Sequence, residues 1–481
     1  DSSSDEPKSW DAATMEYSSP NVKPALEGLF KVTLTDGKLV ECKTVWTMLK
    51  ERVDEYTPEK VAEITWIPKQ KIVEAARFYA KSKPAAVHWG VPVEAVTAAT
   101  PTIQAITHLW CITGNLDIPG GNVIARDAFN VSGYSATAGI ITLSPEADKK
   151  RIGASKYGPI RDFRRSAHPD AVLEQILTEK PYPIKGMWIQ ASNPIAGIGL
   201  DPKKWYKALK KLDFVVVVDL FMTPTAMLAD LVLPAASFLE KYSFRGWWIP
   251  LQAIRKVITV EECKSDIEIN FELAKRFNPK LPWNNVKEMF NDILKPSGMT
   301  YDMLCEKVWV FPPVGHSSVP YRRYEKGLLR QDGKIGFLTP SGKIELYSSQ
   351  LEQWGLDPLP YYEEPPFSPV STPDLYEKYP LILTTGRRTS VYFHSEHRMI
   401  PWLREVEPDP IIEIHPETAK QLDIKDGDIV WVENWLGKCK RKAKVTPIVH
   451  PKIVMVTHGW WLPEKPGPEP SLFGVWEVNI N

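Results

Sequence analysis

Two stretches of this 481-residue chain constrain its fold more than any others, Gly186 to Gln190 and Phe214 to Asp219. Both are continuous apolar runs rather than alternating ones, and both are short. That pattern suits strands buried on two faces, which implies a parallel sheet covered by helices. Each run passes into a loop, Ala191-Ser192-Asn193-Pro194 after the first and Leu220 to Thr225 after the second. In open α/β sheets ligands bind beyond the carboxyl ends of the strands, so these loops are where a nucleotide-like group is expected.

The flanking chain supplies the remaining elements. Phe30 to Thr35 and Lys38 to Thr44 read as a hairpin turning at Asp36-Gly37. A helix follows over Val45 to Val53. Thr57 is placed to cap a helix opening at Pro58, and Pro68 opens another over Lys69 to Tyr79. A strand over Ala85 to His88 and a helix over about residues 100–113, stopped at Gly114-Asn115, continue the alternation of α and β. From about Phe311 to Pro373 the chain is dense in Pro, Tyr, Gly and charge, with one strand candidate, Lys343 to Tyr347; it reads as a connector. Short strands then recur at Pro380 to Thr384, Ile411 to Ile414, Ile429 to Asn434, Cys439 to Val445 and Ile453 to Thr457, the spacing of a small β-barrel. The expected organisation is a remnant of an α/β domain over 1–70, an α/β dinucleotide-cofactor-binding domain over 71–310, a connector over 311–375 and a β-barrel over 376–481.

Composition narrows the function. Lys plus Arg and Asp plus Glu are equal at 59 each, so no global field favours nucleic acid or an anionic membrane. Five cysteines stand far apart, without the paired spacing of zinc or iron-sulfur sites. No apolar stretch approaches the roughly 20 residues that span a bilayer, and the acidic, serine-rich start lacks the features of a secretory signal. The 43 prolines and 18 tryptophans fit rigid crossing loops and flat walls for a large ligand, or simply a stiff core.

Several segments carry more specific patterns. His88-Trp89-Gly90 is followed by Thr113-Gly114-Asn115 and Pro119-Gly120-Gly121. Ser192-Asn193-Pro194 follows a strand. Asp219, Thr223, Thr225, Ala229-Asp230, Leu233-Pro234 and Glu240 form one spaced motif. Thr339-Pro340-Ser341-Gly342-Lys343-Ile344-Glu345, Thr384-Thr385-Gly386-Arg387, Asp426-Gly427-Asp428 and Gly459-Trp460-Trp461 come later. In this order and spacing they resemble the dimethyl sulfoxide reductase superfamily, whose members bind bis(molybdopterin guanine dinucleotide) around molybdenum or tungsten. Trp66 departs from the pattern, standing where glycine is usual.

The resemblance implies that the barrel is of the double-psi type and that thirteen residues touch cofactor. Asp219, at a strand end, would accept paired hydrogen bonds from a guanine edge; capping a helix is its other role. Asn193 would hold phosphate, ribose or base, or simply make an Asn-Pro turn. Lys241 and Asp266 fall near the dinucleotide, where surface salt bridges are the alternative. Thr385, Gly386 and Arg387 form a loop in which the guanidinium would hold a pterin or pyrophosphate oxygen. His394 and Ser395 follow; His394 and His397 have the spacing of a metal pair, but hydrogen bonding to cofactor suits them better. Trp460, with Trp461, and the pair Trp247-Trp248 would line a funnel or stack on a pterin, or pack in a core. Trp89 and Glu94 fall in a loop approaching the metal, and Asn479 in the tail. No catalytic residue or metal ligand is assigned.

The expected function is that of a partial catalytic subunit, in which oxygen-atom or hydroxyl transfer acts on a small, aromatic hydroxylated substrate. A non-redox hydratase or transhydroxylase, or a split chain inactive by itself, are the rivals. The resemblance places a [4Fe-4S] cluster and the metal ligand upstream of residue 1. It also implies an iron-sulfur electron-transfer subunit and a soluble, anaerobic bacterial setting in cytoplasm or periplasm.

Overall fold

The computed structural model describes residues 9–11, 13–14, 16–18, 24–34, 36–124, 143–163, 166–197, 201–245, 251–307, 309–310, 321–330, 332–386 and 389–479. The chain divides into two compact units, one of residues 1–126 and 316–366, the other of 127–315 and 367–481. No helix among the described residues is long and apolar enough to cross a membrane.

In the first unit the hairpin forms as Leu29–Thr33 against Leu39–Lys43, with Gly37 at a φ of +82° in its turn. The helix Val45–Asp54 is capped by Thr44, and Pro58–Thr65 by Thr57. Pro58–Thr65 ends on Trp66 at a φ of +60°, a left-handed conformation for which glycine is the low-strain choice. The unusual tryptophan therefore occupies a position whose backbone explains why glycine is expected there.

Two expected strands are absent, and each has a physical reason. Ala85 to His88 finds asparagine side chains in place of a neighbouring strand. Ala85 N donates to Asn115 Oδ1 (3.1 Å), Val87 N donates to Asn122 Oδ1 (2.9 Å), and Asn122 Nδ2 donates to the Val87 carbonyl (2.8 Å). Lys343 to Tyr347 is instead folded into turns around Glu345, whose carboxylate accepts from Ser341 N (2.9 Å), Ser349 N (3.2 Å) and Ser349 Oγ (2.8 Å).

In the second unit Gly186–Gln190, Phe214–Asp219 and Leu231–Pro234 pair as a parallel three-stranded sheet with Phe214–Asp219 at its centre. Val215 to Val218 are buried, as their unbroken apolar run requires. Gly186–Gln190 is an edge strand and leaves Trp188 partly exposed. Ile189, Trp205, Leu209, Val215 and Val217 share one core with Trp461, Leu472 and Val475 near the C-terminus. Five further strands, in the order Ile382–Thr384, Ile453–Val456, Ile411–Ile414, Gly437–Val445 and Ile429–Asn434, curl into a half-barrel of mixed parallel and antiparallel pairs. The fold is thus α/β with a parallel sheet and a C-terminal β half-barrel.

Candidate functional site

The carboxyl ends of the parallel strands gather four of the expected residues. Asp219 ends the central strand, and its Oδ1 accepts from Leu220 N at 2.7 Å. Burial pushes its carboxyl above the ordinary carboxylate range; the Leu220 and Phe221 N–H groups and the Thr223 hydroxyl oppose that, and the Glu396 charge adds to it. Asn193 lies in the loop after the edge strand. Its Oδ1 accepts from Thr225 Oγ1 at 2.7 Å, and the same hydroxyl accepts from Ile195 N at 3.2 Å. The two loops are therefore tied together through a fully buried threonine. The Asn193 side-chain NH2 is buried and has no hydrogen-bond partner. Asp266 opens the helix Asp266–Phe277 and accepts from Gln190 Nε2, at the end of the edge strand, at 2.8 Å. Lys241 is half-buried after the loop that follows Leu231–Pro234.

A second segment, residues 394–398, borders this sheet end. A Cβ added to Gly197, the last residue of the short helix Pro194–Gly197 that follows Asn193, would lie 3.2 Å from Ser395 Oγ. Three successive carbonyls of this segment are clamped. Arg398 Nη2 donates to the His394 carbonyl (2.9 Å), Trp461 Nε1 to that of Ser395 (2.8 Å), and Arg398 Nη1 to that of Glu396 (2.9 Å). Arg398 is itself buried between Tyr392 and Trp460, 3.8 and 4.5 Å from their ring centroids, and burial pushes its guanidinium down to about 10. His394 Nδ1 lies 3.1 Å from His458 Nε2. Tyr392, His394, Arg398, His458 and Trp460, with Thr389 and Glu407, line a small open cleft.

The other expected residues fall as follows. Trp460 is fully buried, with its Nε1 donating to Thr457 Oγ1 (2.8 Å). Asn479 Nδ2 donates to the Trp460 carbonyl (2.7 Å) and so ties the tail to that ring. Thr385 and Gly386 are exposed; Gly386 has a φ of +53°, which favours glycine whether or not the nearby Met455 side chain shifts. Arg387, Trp247 and Trp248 lie outside the described residues. Trp89, stacked on Trp110 at 5.3 Å, and Glu94, ending a short helix, belong to the first unit. Sequence reasoning missed the role of Arg398. The signal available was the Arg four residues after His394, but the His458 carbonyl that it also binds lies 60 positions away, and the Trp461 that holds Ser395 lies 66 away. Among the described residues no group of three His, Cys, Asp or Glu side chains is placed to hold a metal.

Residues 70–276 match the molybdopterin oxidoreductase family, and residues 381–474 match the molydopterin dinucleotide binding domain. Dopamine dehydroxylase of Eggerthella lenta is 32% identical over 92% of this chain and 51% of its own length. Acetylene hydratase of Syntrophotalea acetylenica is 32% identical over 89% of this chain and 60% of its own. The solved structure of acetylene hydratase from Pelobacter acetylenicus superposes with a TM-score of 0.81 at 31% identity, covering 90% of this chain and 62% of that one. This chain thus spans between 51% and 60% of the length of those two curated relatives.

The residues present fit a molybdopterin dinucleotide. Asp219 offers acceptors beyond a parallel strand, and the Asn193 amide, in the loop tied to the next through Thr225, offers an idle buried donor. A molybdopterin oxidoreductase domain followed by a dinucleotide-binding half-barrel, with this site beyond the sheet, makes the chain a member of the dimethyl sulfoxide reductase superfamily of molybdopterin enzymes.

Proposed function

We propose that these residues cradle the guanine dinucleotide portion of a bis(molybdopterin guanine dinucleotide) cofactor in the catalytic part of a Mo or W oxidoreductase. The observation that carries this reading is the convergence of Asp219, Asn193 and Asp266 beyond the carboxyl ends of the parallel strands. Asp219 would receive the base and Asn193 would donate to ribose or phosphate. The clamped segment 394–396 would form a fixed wall, because its carbonyls are already engaged and cannot move toward a ligand. The bound metal would supply oxygen-atom or hydroxyl transfer, and the protein would supply binding and orientation. None of the residues present is assigned as metal ligand.

The substrate class we propose is a small hydroxylated aromatic, on the likeness to a dopamine dehydroxylase. A second reading, hydration or hydroxyl transfer without net redox, is favoured by the likeness in structure to acetylene hydratase. Turnover that needs an external electron donor selects the first reading, and turnover without one selects the second.

Metal, pterin and nucleotide analysis of protein from its native source tests the cofactor assignment. Molybdenum or tungsten with about two GMP released by acid per metal is the expected result; metal-free protein releasing no GMP would overturn it.

A further inference from the structure

The strand Ile429–Asn434 lies at the outer edge of the half-barrel and pairs only with Gly437–Val445 among the described residues. In an antiparallel pair alternate residues turn their N–H and C=O groups away from the neighbouring strand, and no other backbone–backbone bond engages them among the described residues. The same edge carries a charge pattern. Along Gly437–Val445 the side chains of Cys439, Arg441 and Ala443 are buried, which leaves Lys438, Lys440, Lys442 and Lys444 in one outward row with about 7 Å between successive members. The chain answers the second half of that row itself, Lys442 with Asp409 at 2.8 Å and Lys444 with Glu413 at 2.9 Å. Lys438 and Lys440 close no ion pair among the described residues, although Glu433 stands opposite Lys438 in the register. Their ammonium groups lie instead 4.8 and 5.2 Å from the ring centroid of Trp431 on the edge strand, a side chain 54% exposed beside the exposed Ile429.

We propose that this edge takes an acidic, extended segment of a partner protein as an added strand. The outward backbone groups fit a polypeptide, whereas a phosphodiester chain or a lipid headgroup has no matching row of N–H and C=O groups. Carboxylates at alternate positions of such a strand share the roughly 7 Å repeat of the lysine row. The added strand lies next to Trp431, so its outward side chains meet the two ammonium groups already carried to that ring. The pairing seen at Lys442 and Lys444 is thereby extended to Lys440 and Lys438. A second copy of this chain is a poorer occupant, because edge-to-edge pairing would set the lysines of both copies against each other. Trp431 and Ile429 supply the apolar contact, and the lysines decide which strand uses it.

The test is fluorescence anisotropy at physiological salt, with the full chain and a labelled decapeptide that alternates glutamate and threonine. Wild type should bind the peptide, K438E/K440E should weaken binding about tenfold, and W431A should weaken it by less. The lysine variant should melt with wild type, because neither ammonium closes an ion pair in the fold. The same peptide with alternate backbone nitrogens methylated cannot join the edge and should not bind. Three results would overturn the proposal: no binding of the plain peptide, equal binding of the methylated one, or a DNA oligomer or phosphatidylserine vesicles bound as tightly and lost in the same variant. In protein from its native source, zero-length carbodiimide coupling should join Lys438 or Lys440 to an Asp or Glu of another chain. Coupling confined to this chain, or to a second copy of it, overturns the partner strand as well.

Discussion

The loop over residues 113–124 and the two loops beyond the parallel sheet carry the same kinds of residue, yet one is saturated and the other is not. In the first, Asn115 uses its oxygen on Ala85 N and its amide on Thr113 Oγ1, and Asn122 uses both groups on Val87. Asp117, fully buried at a φ of +53°, accepts from Arg323 N at 2.9 Å and pairs with that guanidinium at 3.4 Å. In the second, the Asn193 amide is idle and burial opposes ionisation of Asp219. Polar groups that already satisfy one another hold a fold together, and only those with spare capacity can recognise something else. The comparison separates motif residues that build the scaffold from those that face a ligand.

The sharpest way to break this contrast is to remove the buried charge at Asp117. Leaving the Arg323 guanidinium uncompensated should lower the unfolding free energy by about 3–5 kcal/mol in D117A, read by urea denaturation. A loss below about 1 kcal/mol would mean that the loop is not the tie its geometry suggests. Asn115→Ala should follow with a loss of about 1–3 kcal/mol, since it leaves the Ala85 N–H without its acceptor and the Thr113 hydroxyl without the amide that donates to it.

What the sequence made legible is local. The unbroken run Val215 to Val218 identified a buried strand, and Thr57 before Pro58 identified a helix start, because both signals lie within a few residues. The paired loops at the sheet end followed from strand polarity. Illegible were the features made by distant partners. Nothing near Ala85 says that Asn115 and Asn122 will substitute for a strand, and Asp117 meets Arg323 across 206 positions. The Arg398–Trp461 clamp is of the same kind, and so is the seat of Ser395 against Gly197.

His108, in the same unit as the saturated loop, offers a smaller test. It is buried on the helix Ala99–Ile112 with neither ring nitrogen partnered, and burial pushes its pKa down. The unfolded chain takes up this proton near pH 6.5, whereas the folded chain resists until lower pH. Stability should therefore be flat above about 6.5 and fall as the pH drops below it. His108→Leu should remove that slope and leave neutral-pH stability unchanged or raised by about 1 kcal/mol. An unaltered slope would assign the acid sensitivity elsewhere.

The smallest stability effect is expected at Asp219, and its smallness is the point. A carboxyl whose folded pKa is raised supports the fold below its unfolded value, near 3.9, and loses that support as the pH rises through the folded value. Burial thus works against the ionised form of Asp219 in the folded chain, and Asp219→Asn removes the ionisable group. Cofactor-free D219N should melt no lower than cofactor-free wild type at pH 7, and the difference should shrink toward pH 4. Guanine nucleotide recovered from the native protein should nonetheless fall in the variant. A fall in melting temperature like that of Asn115→Ala, with nucleotide retained, would make Asp219 another scaffold tie and erase the contrast between the two regions.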